Sequence, residues 1–144
     1  MIKLQTDYIG FINACFQIKE IIMVYKHTAL RLAIAFLAKQ QNISFSRLAI
    51  KSGLDATALN QSKWFSPYGK RRWLSTGSLF QILRTSGVSA VEFFMIMERI
   101  EEQLHRIAAD MGENVILSLY DKSHTFYEIE SICFEKFASD IQHA

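Results

Sequence analysis

The 144-residue chain has few of the residues that break helices, because it contains a single proline, Pro67, and only six glycines. Proline and glycine are the least favourable residues in a helix interior, so their scarcity predicts an all-α fold. Half of the residues are hydrophobic and 21% are charged, a balance that excludes an intrinsically disordered chain. The length suits one compact domain, or a small domain with an oligomerisation segment.

Cysteine and long apolar runs are also scarce. The two cysteines, Cys15 and Cys133, are far apart and form no CxxC motif, so we expect reduced thiols in a cytoplasmic protein. The densest apolar stretch, residues 9–16, is interrupted by Gly10 and Asn13. A membrane span needs roughly 18 to 20 apolar residues. No cleavage site of a secretory signal follows this stretch, so we expect neither secretion nor a membrane partner.

Motifs that carry catalysis or cofactor binding are absent from the sequence. The four histidines show no HxxxH spacing and no Cys/His ligand pattern, and there is no P-loop and no GxGxxG. The sequence therefore predicts a protein that is not an enzyme and that holds no cofactor or metal.

Charge is distributed unevenly along the chain. Residues 28–87 carry nine basic side chains and one acidic one, a net charge of +8, whereas residues 88–144 carry four basic and eleven acidic ones, a net charge of −7. Chance clustering on solvated faces is the alternative explanation. The split favours a basic half that binds a polyanion and an acidic half that faces water or a protein partner.

Apolar spacing predicts helices at both ends of the basic region. Residues 1–26 are expected to form an N-terminal helical extension, and a second helix is expected to begin at Thr28 as its N-cap. Ser75 or Thr76 is expected to cap a later helix. The motif Ser89-Ala90-Val91-Glu92 is a capping box that opens a long final helix of the domain.

Between these helices the spacing is typical of a helix-turn-helix. Ser44 is expected to cap one short helix, Gly53 to end it in the left-handed conformation, and Asp55 to cap a second one over residues 56–63. The second helix of such a motif enters the major groove, where amide and cationic side chains contact base edges. The candidate base-reading residues are Thr57, Asn60, Gln61 and Lys63.

Phosphate contacts are expected from groups that flank this second helix. Two serines lie at the start of the first short helix, and a mobile cationic loop with adjacent aromatic residues follows the second. Such a loop lies along the backbone or reaches into the minor groove, although packing against the core is the alternative for Trp64 and Trp73. The candidate phosphate-binding residues are Ser44, Ser46, Lys70, Arg71, Arg72 and Trp73.

Residues 28–96 resemble the N-terminal DNA-binding domain of lambda-repressor-like regulators of the phage-repressor type, a five-helix module. The resemblance rests on the run LAIKSGLDATALNQSK over residues 48–63 and on the basic, tryptophan-containing run GKRRWLST over residues 69–76. It implies a transcriptional regulator that binds double-stranded DNA, and it places the candidate base-reading residues on the reading helix. Only about 50 residues follow the module, too few for the self-cleaving peptidase domain that such proteins often carry.

The expected organisation is an extension (1–26), a DNA-binding domain (27–96) and a C-terminal helical region (97–144). The final helix of the domain carries a heptad seam, and we expect it to pair with a second chain, because dimers read two half-sites. Packing within the chain against the terminal helices is the alternative. The seam consists of Phe93, Met97, Ile100, Leu104, Ile107 and Met111.

Two other functions stay open from the sequence. The acidic half suits an antitoxin or anti-regulator that captures a protein partner and retains a DNA-binding fold. The apolar seam also suits a small apolar effector.

Overall fold

The structure, a computed structural model, describes residues 2–111 and residue 135, with side chains described continuously over residues 22–110 apart from residue 61. Within residues 2–111 the chain forms four α-helices and no strand, which confirms the all-α prediction, whereas the predicted count of five helices is wrong. A single-turn 3₁₀ helix, Gln61–Lys63, lies between the second and third. The helices are α1 (Ile2–Gln40), α2 (Phe45–Lys51), α3 (Thr76–Ser86) and α4 (Ala90–Met111).

Helix α1 is one continuous helix of 39 residues. Thr28, expected to be an N-cap, is buried in the helix interior, so the predicted helix start is wrong. The helix continues because it contains no proline, and no glycine after Gly10, and because its second half packs on the core at every turn. It ends at Gln40, where Asn42 has a φ of 55° and the N–H of Ile43 donates to the Ala38 carbonyl over 3.1 Å.

The helix ends around the predicted turn follow local signals in the sequence. Gly53 ends α2 with a φ of +77°, a conformation that costs glycine no Cβ clash, and the N–H of Leu54 closes the turn on the Ala49 carbonyl. The predicted caps are confirmed by hydrogen bonds from Arg47 N–H to Ser44, from Ser78 N–H to Ser75, and in both directions between Ser89 and Glu92.

Residues 56–63, predicted as the second short helix, form turns and the 3₁₀ helix Gln61–Lys63 instead of an α-helix. The Asp55 carboxylate accepts both the N–H and the O–H of Thr57, as expected of a cap. A side chain takes one of the acceptors of an α-helix, because the indole N–H of Trp64 donates to the Leu59 carbonyl over 3.2 Å. The main-chain bonds therefore reach back only three residues: Ala58 to Asp55, Asn60 to Thr57 and Lys63 to Asn60.

Helix α4 packs along the second half of α1 in the opposite direction. Near the middle of α1, Lys26 Nζ lies 2.6 Å from Glu101 Oε2, whereas the end of α1 at Gln40 lies beside Met95. The two helices, together with α2, α3 and the segment after α2, enclose one apolar core. This arrangement places the core between α1 and α4, and the segment after α2 contributes the buried side chains of Leu59, Trp64 and Phe65 to it.

The heptad seam of α4 is buried inside a single chain. Most of its members are almost completely enclosed against the core, and Met97 is half-buried, so the prediction that the seam faces a second chain is wrong. The physical reason is that the unbroken α1 offers its own apolar face to α4, the alternative that the sequence left open. The side chain of Met111 lies outside the described part. The buried members are Phe93, Ile100, Leu104 and Ile107.

Some expectations concern parts of the chain beyond this description. The thiol of Cys15, residue Cys133 and the C-terminal region after Met111, apart from residue 135, lie outside it, so reduced cysteines stay a prediction. Within residues 2–111, no single helix is long and apolar enough to cross a membrane. The consecutive helices Thr76–Ser86 and Ala90–Asp110, bent by 99°, meet that length and composition test only as a pair.

Candidate nucleic-acid interface

The basic segment after the 3₁₀ helix forms an ordered hairpin. Phe65 and Arg71 form an isolated antiparallel bridge, and the N–H of Arg72 donates to the Trp64 carbonyl over 2.8 Å. At the turn, Gly69 has a φ of +81°, which suits glycine because a Cβ strains this conformation. We call residues 64–73 the cationic hairpin. The expectation of a mobile loop is wrong, because main-chain bonds close the hairpin on both sides of its turn.

The base of the cationic hairpin is apolar and buried, whereas its turn is exposed. Trp64 and Phe65 are buried in the core, so core packing, the alternative considered for Trp64, is correct. At the turn, Tyr68 is 95% exposed, the largest exposure among the big apolar side chains of the described part. Lys70 and Arg72 are exposed as well. The hairpin therefore presents cations and an aromatic ring to solvent from a fixed base.

His27 on α1 joins the hairpin to the helix. Its side chain is 1% exposed, and its Nε2 lies 2.9 Å from the main-chain carbonyl of Arg72. A carbonyl only accepts, so Nε2 carries the hydrogen. The imidazole also meets three aromatic rings edge-on, at centroid distances of 5.8, 5.3 and 5.1 Å: Trp64, Phe65 and Trp73.

The imidazole of His27 is neutral at neutral pH. Burial lowers the pKa of His27 to about 4, and the hydrogen bonds to the main chain of Arg72 and, more weakly, of Trp64 oppose this shift. The positive charges of Arg31 and Arg71 lower the pKa further. A neutral ring has one N–H, and the hairpin carbonyl receives it.

Arg31, one turn after His27, supports the same hairpin. Its guanidinium carbon lies 5.7 Å from the ring centroid of Trp64 and 5.5 Å from that of Phe65. Guanidinium groups over aromatic faces stabilise such contacts by electrostatic attraction. Arg31 is buried, so its positive charge lies against the aromatic rings of the hairpin and does not belong to the exposed cations.

The candidate base-reading residues lie on the turns that lead into the hairpin. Thr57, Asn60 and Lys63 are exposed, as base reading requires, and Leu59 is buried, although the segment is not an α-helix. The hydroxyl of Thr57 already donates to Asp55, which leaves its methyl group as the feature for a base. The side chain of Gln61 lies outside the described residues.

The candidate phosphate-binding residues fall into two groups. Lys70, Arg71, Arg72 and Trp73 belong to the cationic hairpin, and the structure brings them next to residues 55–63. Ser44 and Ser46 are exposed at the start of α2, before the Gly53 turn. The oxygen of Ser44 is occupied as the helix cap.

Sequence reasoning missed His27 and Arg31. Their spacing of four places them on one face of α1, but the sequence gives no sign that residues 64–73 pack there. The spacing of the histidines in the sequence bears only on metal binding. In the described part, no group of three or more His, Cys, Asp or Glu side chains is placed to hold a metal ion.

Four members of the seam are packed in the core and present no open face to an apolar effector: Phe93, Ile100, Leu104 and Ile107. A surface groove of about 590 Å³ lies between the end of α1 and the start of α2, where Lys39, Asn42 and Phe45 line it. Comparison with protein-family models, with curated proteins and with solved structures finds no match to this chain.

Proposed function

We propose that the protein is a sequence-specific transcriptional regulator that binds double-stranded DNA, a phage-type repressor that acts as a homodimer in the cytoplasm at the nucleoid. In this proposal α2, the Gly53 turn and residues 55–63 form the DNA-reading unit. The unit is a variant of the lambda-repressor-like helix-turn-helix in which turns replace the reading helix. The cationic hairpin lies beside it as a second contact element.

The observation that carries the proposal is the cationic hairpin itself. An exposed aromatic turn and exposed cations rest on a buried base within a segment of net charge +8. Duplex DNA binds such surfaces because neutralising phosphates releases counterions, and a rigid hairpin loses little conformational freedom on binding. A surface that serves only for solubility has no need of a buried histidine and arginine beneath it.

Base reading is assigned to the exposed polar residues that precede the hairpin. Asn60 is suited to adenine and Lys63 to guanine, and the Thr57 methyl to the thymine methyl. Gln61 keeps its assignment as an adenine reader from the sequence resemblance. Ser44 and Ser46 are assigned to phosphate at the start of α2.

The homodimer requires a different surface from the heptad seam. On the outer face of α4, Val91, Phe94 and Met95 are exposed at helical spacings of three and four, and Phe80 of α3 is exposed as well. Two copies that meet at such a surface place two reading units on one duplex, and half-site spacing then reports the geometry of the dimer.

The deciding experiment is in vitro selection of bound duplex DNA by the purified full chain at two salt concentrations. We expect enrichment of a sequence with two related half-sites at a fixed spacing. Affinity for the enriched site should exceed that for random duplex by roughly a thousandfold or more. Binding without enrichment, or no binding, would overturn the proposal.

The antitoxin-like alternative is tested by separate experiments on the acidic C-terminal half. Six of the eleven acidic side chains of residues 88–144 lie beyond residue 111, the part assigned to a protein partner. Co-purification with a basic partner, together with DNA binding that survives removal of residues 112–144, would favour it.

A further inference from the structure

We propose that His27 is a positioning residue that holds the cationic hairpin in the orientation in which it contacts DNA. The inference rests on the proposed function, because it concerns the same DNA-binding surface. It assigns a role to a side chain that itself never touches the nucleic acid.

The first observation is where the imidazole meets the hairpin. Its Nε2–H donates to the Arg72 carbonyl on the second arm of the hairpin, and its ring meets Trp64 and Phe65 on the first arm. One side chain of α1 thus contacts both arms. The contact to Trp73, which is 49% exposed, lies at the edge of the exposed surface.

The second observation is how the hairpin is attached. The main-chain bonds of the cationic hairpin join its two arms to each other. The orientation of the hairpin against α1 is therefore set by side chains. His27 supplies a directional hydrogen bond, and Arg31 supplies a broad contact to the Trp64 and Phe65 rings. A directional bond fixes the rotation of the hairpin, whereas a stacked cation tolerates sliding.

The third observation separates this role from simple core packing. A buried apolar side chain fills the space at residue 27 equally well but leaves the Arg72 carbonyl without this donor. The side chain of Arg72 is one of the exposed cations. The bond therefore acts on the main chain of a residue that faces the DNA, and preorganised contacts bind more tightly than contacts that must be ordered.

The test uses a matched pair of substitutions, His27→Gln and His27→Asn. The glutamine amide nitrogen reaches the place of Nε2, whereas the shorter asparagine amide falls short of the Arg72 carbonyl. We expect His27→Asn to weaken binding to the selected duplex by about tenfold and His27→Gln to stay within about threefold of the wild type. The salt dependence should flatten in His27→Asn alone, because phosphate contacts are lost.

A double-mutant cycle with Arg72→Ala separates positioning from stability. In the wild-type background, Arg72→Ala removes a phosphate contact and lowers the binding free energy. In the His27→Asn background, we expect the same substitution to cause less than half of that loss in binding free energy. Circular dichroism at the binding temperature confirms that each variant is folded. If His27→Asn unfolds, His27→Phe, which fills the space without a donor to the Arg72 carbonyl, replaces it in the cycle; Arg72→Ala is then expected to cost less than half of its wild-type loss in binding free energy, and an undiminished loss overturns the positioning role.

The outcomes distinguish this inference from the proposed function. If the wild type selects no duplex, the proposed function fails, and this inference fails with it. If the wild type binds and folded His27→Asn has the wild-type affinity and salt slope, only the positioning role is overturned. The positioning role is also overturned if the losses in binding free energy of His27→Asn and Arg72→Ala simply add. An NMR spectrum that places the ring hydrogen of wild-type His27 on Nδ1 overturns it as well.

Discussion

The indole N–H of Trp64 donates to the main-chain carbonyl of Leu59 over 3.2 Å. In an α-helix that carbonyl would accept the N–H of Lys63, which bonds to Asn60 instead. A buried aromatic residue of the hairpin therefore occupies a main-chain acceptor of the segment assigned to base reading. The same contact joins the two parts of the proposed DNA surface, because Leu59 belongs to one and Trp64 to the other.

Trp64→Phe keeps an aromatic ring at this place and removes the donor. We expect the free energy of unfolding to fall by about 1 kcal/mol, the usual net value of one buried hydrogen bond. The Leu59 carbonyl then becomes open to the Lys63 N–H, and residues 55–63 gain α-helical character. Hydrogen exchange at the Lys63 amide is the measurement, with slower exchange expected; unchanged exchange and stability would contradict the role of the indole.

Gly69→Ala tests the rigidity of the cationic hairpin. The φ of +81° strains any residue with a Cβ, although the space around it is open, so we expect a loss of about 1 kcal/mol of hairpin stability. Gly77→Ala in α3 is the control, since its surroundings are equally open and its φ is not in the left-handed region. In thermal unfolding, the Tm of Gly69→Ala should be lower than that of the wild type, and the Tm of Gly77→Ala should be unchanged or slightly higher. Equal effects would argue against a strained turn.

The burial of the seam separates folding from association. Leu104 is fully buried, so Leu104→Asp should cost about 3 kcal/mol or more and unfold much of the chain. Phe94 is 52% exposed, and Phe94→Asp should leave the fold intact while lowering the mass seen by sedimentation to that of one chain. A folded Phe94→Asp that sediments like the wild type would exclude this surface from the dimer.

Base readers and phosphate contacts differ in what their loss does to DNA binding. Asn60→Ala and Gln61→Ala should relax sequence choice in the selection, with about 1–3 kcal/mol less discrimination at one base pair. Arg71→Ala should weaken every duplex alike and flatten the salt slope by about one. Titrations of selected and scrambled duplexes at several salt concentrations make the comparison. An Arg71→Ala protein with an unchanged slope would remove the hairpin from the phosphate contacts.

Acid should destabilise the protein through His27. Its pKa is about 4 in the folded state and 6.5 as the ordinary value, so the unfolded chain takes up a proton first as the pH falls. Stability from the neutral ring is present above pH 6.5 and is lost between about pH 6.5 and 4, on the order of 3 kcal/mol in total. Urea unfolding at pH 7 and 4.5 should show this loss in the wild type. His27→Gln, which cannot titrate, should show a smaller one, and equal losses would contradict the burial of a neutral ring.

Local signals in the sequence predicted the ends of helices well. Ser44, Ser75 and Ser89 cap the helices that they were expected to cap, and Gly53 ends α2, because a cap depends on residues within a few positions. Asn60 and Lys63, named from the sequence as base readers, are exposed as that role requires.

Contacts between residues far apart in the chain could not be predicted from the sequence. The loss of the second short helix depends partly on Trp64, whose indole could have faced solvent or core from its sequence alone. The order of the hairpin depends on His27, 45 positions before Arg72. The seam was correctly predicted to be apolar, but the surface that it packs on was not predicted. That surface is α1, which continues through Thr28, where the sequence had suggested a helix start.

The length of α1 has a consequence for the histidine that it carries. The first turn of any α-helix has N–H groups without helical acceptors and frays. His27 lies about seven turns from the start of α1 at Ile2, in a stretch whose backbone is bonded on both sides. A shortened chain that began at Met23 would place His27 in the fraying turn and loosen its hold on Arg72. Residues 2–22 thus keep His27 away from the end of α1 that frays. In the proposed function, binding to DNA would therefore depend on a stretch of helix that precedes every residue proposed to touch the duplex.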